Sequence, residues 1–207
     1  MFKDLLDRFS RKPAAADSTA ERLAVELARP PSEHDIDRLV PLILPSALLR
    51  PYWPGPIEAL GDLPFALTWA IAGDGNSFVY VTRTIEAHWD AAGIDWRARA
   101  MENLQRIARK DRASHEKNDE FGLPFVQVLL NEDAIGPSRL LLPGFFEDTF
   151  GEDYLVAIPE QTCAVVYRTD LTEEETALVD TLINECFEGG TEPMTRERFD
   201  PRRFWAV

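Results

Sequence analysis

The chain has 207 residues, enough for one large domain with a well-formed core. Apolar residues at 45% and charged residues at 28% are ordinary globular values and exclude collagen, low-complexity disorder and disulfide scaffolds. A formal net charge of −14 argues against tracking of nucleic-acid phosphates and against docking on anionic lipid by net charge.

The first segment, MFKDLLDRFSRK, spaces Phe2, Leu5, Leu6 and Phe9 at i, i+3, i+4 and i+7, the pattern of an amphipathic helix. Lys3, Asp4, Asp7, Arg8, Arg11 and Lys12 fill its other face. It is expected to dock on the domain or on a second copy, with weak peripheral membrane contact through residues 1–12 as the alternative. Acids in its first turn and the lack of a continuous apolar block do not read as a signal peptide. Pro13–Asp17 reads as a linker, and Ser18 or Thr19 caps a further helix to about Ala28. Residues 1–32 thus form an N-terminal helical extension and linker, ahead of a single α+β domain over 33–207.

Eight of the fifteen prolines fall between residues 30 and 64. Proline lacks the N–H and restricts its predecessor, so long regular elements are not expected there. Ser32 with Asp35 suggests a capped short helix through Val40, followed by an apolar belt wrapping the domain. FALTWAIA (65–72) and FVYVT (78–82) flank Gly73–Ser77 and predict a β-hairpin. Helices are predicted over 84–92, stopped by Gly93, and over 96–110, capped by Asp95 with Trp96, Ala100, Leu104, Ile107 and Ala108 as the apolar stripe. Residues 111–120 read as a solvated mixed-charge loop, 123–130 as a strand and 131–138 as a loop. A helical turn is predicted over 139–142, with Ser138 as its N-cap, and helix resumes over 145–150. YLVAI (154–158) and TCAVVYR (162–168) predict a second hairpin. Thr172 with Glu175 forms a capping box for a helix from Glu173 to about Glu188, and the tail adds a last extended segment. The fold class is α+β: a mainly antiparallel sheet covered by helices on one face.

Chemical motifs are sparse. Gly73-Asp74-Gly75 lacks the third glycine and following helix of a dinucleotide loop, and no Walker motif or Gly-x-Ser-x-Gly elbow occurs. No two of His34, His88 and His115 stand four apart, so no metal site and no cofactor are read from the sequence. Cys163 and Cys186 fall in a predicted strand and a predicted helix. Such sparse usage suits a reducing cytoplasm, with both expected as free thiols filling apolar space. Residues 97–112 carry Arg97, Arg99, Arg106, Arg109, Lys110 and Arg112 against Glu102 and Asp111. This basic face either neutralises acidic neighbours or receives an acidic segment of a partner or second copy. Asn103 in mid-helix and Ser138-Arg139 at a structured junction are the best polar candidates, because polar groups there must find partners. Arg99 and Arg106 join them as candidate binding residues.

WDAAGIDWRARAMENLQRI (89–107), PSRLLL (137–142), YLVAIPEQTCAVVY (154–167) and GGTEPMTRERF (189–199) together resemble the YtpQ-like family of uncharacterised bacterial proteins. Trp89, Asn103, Ser138, Arg139 and Pro159 occupy the places of that family's motifs. Gly136-Pro137 stands where the family often has Asp-Ala type residues, and the N-terminal helices differ from the family's. The resemblance implies a cytoplasmic bacterial α+β protein and supplies no catalytic activity. The expected function is a non-catalytic interaction or regulatory module with a protein partner or a second copy. The alternative is a small hydrolase or transferase using carboxylates with Arg139 or His88. Nucleic acid and integral membrane are not expected partners.

Overall fold

The computed structural model describes residues 29–49, 53–73, 77–110, 115–130 and 135–205. The helices expected before residue 29 lie outside the described residues. What is described is α+β, built on two antiparallel four-stranded sheets rather than one.

The first sheet is organised around β3 (Phe65–Ala72). On one side it pairs with β1 (Leu39–Pro45). On the other it pairs with two short strands set end to end, β2 (Ile57–Ala59) and β4 (Phe78–Tyr80). β1 corrects the expectation of an irregular belt, because a seven-residue strand runs through Pro41 and Pro45. The register explains how. The Leu39 and Pro41 carbonyls accept bonds from side chains outside the sheet. Residues of that parity therefore turn their polar groups away from β3. Pro41 and Pro45 share it, so their missing N–H groups remove no ladder bond, as edge strands allow. The short helix expected through Val40 is also corrected. Two 3-10 turns, Pro31–Glu33 and Ile36–Arg38, precede the strand, and the Asp35 side chain caps the second.

Two helices follow. α1 (Arg83–Ala91) is capped by the Thr82 hydroxyl, which accepts from the Ile85 N–H, and the chain turns out of it at Gly93 with φ 69°. α2 (Trp96–Ala108) is capped by Asp95, which accepts from the Ala98 N–H. Trp96, Ala100, Leu104 and Ala108 are buried at the spacing of one helical face.

The second sheet has the order β5–β6–β8–β7: β5 (His115–Asn118), β6 (Pro124–Leu129), β7 (Tyr154–Glu160) and β8 (Cys163–Arg168). β5 corrects the loop expected over 111–120. Its residues are polar because it is an edge strand, mostly exposed. The described part of the tail joins β7 through an antiparallel bridge between Val156 and Phe199.

Burial follows strand alternation. On one face of the second sheet Leu129, Val156, Ile158, Ala164 and Val166 merge with the first sheet and α2 into one apolar cluster. On the other face Val128, Ala157, Cys163, Val165 and Tyr167 pack under α4 (Glu173–Gly189). α4 begins with the capping box, Thr172 and Glu175 each bonding the other's backbone N–H. Its Val179, Leu182, Ile183 and Cys186 face inward.

The 3-10 turn Pro137–Leu141 and the short α3 (Glu147–Phe150) lie between β6 and β7 in the chain. The turn bridges the two sheets. A Cβ on Gly136 would stand 2.0 Å from the Leu129 carbonyl oxygen and 2.8 Å from that of Thr162, so only glycine lets the turn lie against the second sheet. Ser138, two residues on, bonds β1 of the first.

Candidate interaction surface

Asn103 is 3% exposed and points from α2 at the start of β1. Its Nδ2 donates to the Ile36 carbonyl at 2.9 Å and to the Leu39 carbonyl at 3.0 Å. Its Oδ1 accepts from Arg106 Nη2 at 3.0 Å, and the same nitrogen donates to the Asp37 carbonyl at 2.8 Å. Ser138 Oγ donates to the Pro41 carbonyl at 2.8 Å. Ser138 is thus not an N-cap: it lies inside the turn, where no side chain caps. Together these groups satisfy carbonyls of the turn before β1 and of its unpaired edge, where those of Leu39 and Pro41 would otherwise be buried without partners. Arg139 is fully buried and engaged by neighbours. Arg99 is exposed and lies 3.2 Å from Glu102 and 3.9 Å from Asp37.

Of the basic residues over 97–112, Arg97, Arg99 and Arg106 are engaged within the protein, while Arg109 and Lys110 are exposed just beyond α2. The Arg97 guanidinium stacks 4.0 Å from the Trp96 ring centre and 5.0 Å from that of Trp69. It also bonds Glu58 at 3.0 Å and lies 3.7 Å from Glu86. Arg112 lies outside the described residues. His88 is exposed on α1, whereas Arg139 is fully buried. Among the described residues no group of three or more His, Cys, Asp or Glu could hold a metal ion. Among them, too, no helix is long and apolar enough to cross a membrane.

A different surface emerges at the far end of the second sheet. Asp119 organises the β5–β6 turn. Its Oδ1 accepts from the Phe121 and Leu123 N–H groups, both at 2.9 Å, and Gly122 takes φ 80°. Its Oδ2 accepts from Arg168 Nη1 at 3.0 Å. The Leu123 N–H, with those of Phe121 and the Arg168 guanidinium, holds the Asp119 carboxyl below the usual aspartate range. A turn so braced presents apolar side chains to water: Phe121 is 79% exposed and Leu123 57%. They face a groove of about 1120 Å³ whose other wall is the first half of α4. Phe125, Ala177 and Leu178 continue the apolar lining. The rim is acidic, with Glu120, Asp170, Glu173 and Glu174 among six carboxylates against the cations Lys117 and Arg168.

Arg168 is committed inward. It pairs with Asp119, with Asp170 at 3.3 Å and with Glu175 at 4.0 Å. None of Asp119, Phe121 and Leu123 stands out in the sequence as a candidate binding residue. The signal present was Asp119 with Gly122 ahead of an apolar run, an Asx-type turn opening a strand. Compared with known proteins, the chain matches no protein-family model, no curated protein and no solved structure.

Proposed function

We propose that this protein is a non-catalytic interaction module and that the groove between the β5–β6 turn and α4 is its binding surface. The occupant is a short amphipathic segment of a protein partner, with apolar anchors for Phe121, Leu123 and Leu178 and basic residues for the rim. The carrying observation is the pairing of two well-exposed apolar side chains on one braced turn with an acidic rim supplied mostly by the facing start of α4. Isolated exposed apolar residues are ordinary, but apolar residues set together in a concave, polar-rimmed surface mark recognition sites. Membership of the YtpQ-like family and a cytoplasmic location belong to the same proposal and rest on the motif resemblance above.

Fluorescence anisotropy tests it with two labelled probes of equal length, a leucine-lysine amphipathic helix and its leucine-glutamate counterpart. The lysine probe binds at least tenfold more tightly, weakens as salt is raised, and loses binding to a Phe121→Ser, Leu123→Ser variant. Equal affinity for both probes, or binding unchanged in the variant, refutes the groove as the surface.

A further inference from the structure

The chain holds two cysteines, and folding brings them together. Cys163 opens β8, an interior strand of the second sheet, and Cys186 lies in the last turn of α4 above it. Both are 0% exposed. The Cys163 thiol donates to the Cys186 sulfur at 3.2 Å. A disulfide needs about 2.05 Å, so the two sulfurs have roughly 1.2 Å to close.

We propose that Cys163 and Cys186 form a site of reversible oxidation, in which the dithiol becomes an intramolecular disulfide at the expense of a low-molecular-weight disulfide such as oxidised glutathione. One cysteine loses its proton, and the thiolate attacks a sulfur of glutathione disulfide. A mixed disulfide forms, and the first glutathione thiolate leaves and takes up a proton. The second cysteine, also deprotonated, attacks the protein-side sulfur of that mixed disulfide. The second glutathione leaves and is protonated. The protein loses two hydrogens and two electrons, and one glutathione disulfide becomes two glutathione thiols.

Burial sets the character of the site. The Cys163 thiol is pushed up, first by its bond to Cys186 and then by burial, so thiolate is scarce in the closed fold. Exchange therefore proceeds through local opening of the end of α4 and is slow. The same burial shields the finished bond from external thiols. Oxidation pins α4 to β8 across the second apolar cluster, whose members include Val165, Ile183 and Cys186.

A pair of cysteines that merely fill space makes no forecast about oxidation equilibrium, whereas a pre-aligned pair does. The full chain is equilibrated in glutathione redox buffers, folded and in guanidinium chloride, from both the reduced and the oxidised side. Acid quenching, alkylation and mass spectrometry then count free thiols. The folded chain is expected to favour the disulfide at least tenfold over the denatured chain. The product is a monomer lighter by two hydrogens that returns to dithiol with dithiothreitol. A ratio below tenfold, disulfide-linked dimers, or glutathione adducts as the end product would overturn the proposal. The ratio comes from the native sequence, so it stands whether or not Cys186→Ser folds. In that variant no intramolecular species should form.

Discussion

Replacing Asn103 with alanine tests the claim that side chains seal the edge of β1. The variant removes both Nδ2 donors and leaves the Ile36 and Leu39 carbonyls without them. Leu39 is 0% exposed, so no water readily reaches its carbonyl, and an unpaired buried group costs about 1–3 kcal/mol. The Ile36 carbonyl is nearer solvent and contributes less. Arg106 loses one acceptor but keeps the Asp37 carbonyl. The sum is about 2–4 kcal/mol. At about 2–4 °C per kcal/mol for a domain of this size, the midpoint falls by about 4–16 °C. Urea denaturation and thermal melting followed by circular dichroism measure it. Arg99→Ala is the control, since its pairs with Glu102 and Asp37 are exposed and worth about 0.5 kcal/mol or less. Ser138→Ala removes one donor and costs about 1–2 kcal/mol. Combined with Asn103→Ala it costs less than the sum, because Leu39 and Pro41 lie two residues apart and release of one frees the other. If Asn103→Ala stays within about 0.5 kcal/mol of the parent, the sealing argument fails.

Thr172→Ala removes the capping box of α4 and lowers stability by about 1 kcal/mol, whereas Thr172→Ser is near neutral. A smaller loss for serine than for alanine in urea melts checks this. Gly136→Ala forces a Cβ onto the Leu129 carbonyl oxygen and costs about 3 kcal/mol or more; parent-like stability would contradict the close approach. The Asp119 carboxyl titrates below the ordinary aspartate value in the folded chain. Its ionised form therefore adds stability that is complete above that value and is lost as pH falls through the lower folded value. The stability gap between the parent and Asp119→Ala, from urea melts between pH 6 and pH 2, should narrow on acidification. A constant gap would show that the charge is not what braces the turn.

The legible parts of the fold were those whose signal is local. Asp95, Thr172 with Glu175, and the stripe from Trp96 to Ala108 each announce a helix within a few residues, and the structure places them so. β1 was hidden because Pro41 and Pro45 read as breakers; that they share one parity becomes meaningful only once β3 fixes which edge is bonded. β5 was hidden because His115–Asn118 carries no apolar alternation, and pairing with β6 alone makes it a strand. The same limit applied to the candidate residues. Asn103 and Ser138 could be picked out as polar groups in need of partners, but those partners lie 64 and 97 residues away. The groove escaped because it joins a turn and a helix end that are distant in sequence.

The sheets are each woven from consecutive stretches of chain, residues 39–80 and 115–168, so the loops closed in forming either one are modest. What unites them is the Gly136–Leu141 turn, an excursion between β6 and β7, and, from farther along, Phe199 and Phe204 packed against Phe65 at 5.4 and 6.0 Å. Loop-closure entropy sets the sequence of assembly, with the two weaves forming first and the fastenings between them last. Weakening Phe204 should accordingly hasten unfolding while leaving the refolding rate nearly untouched.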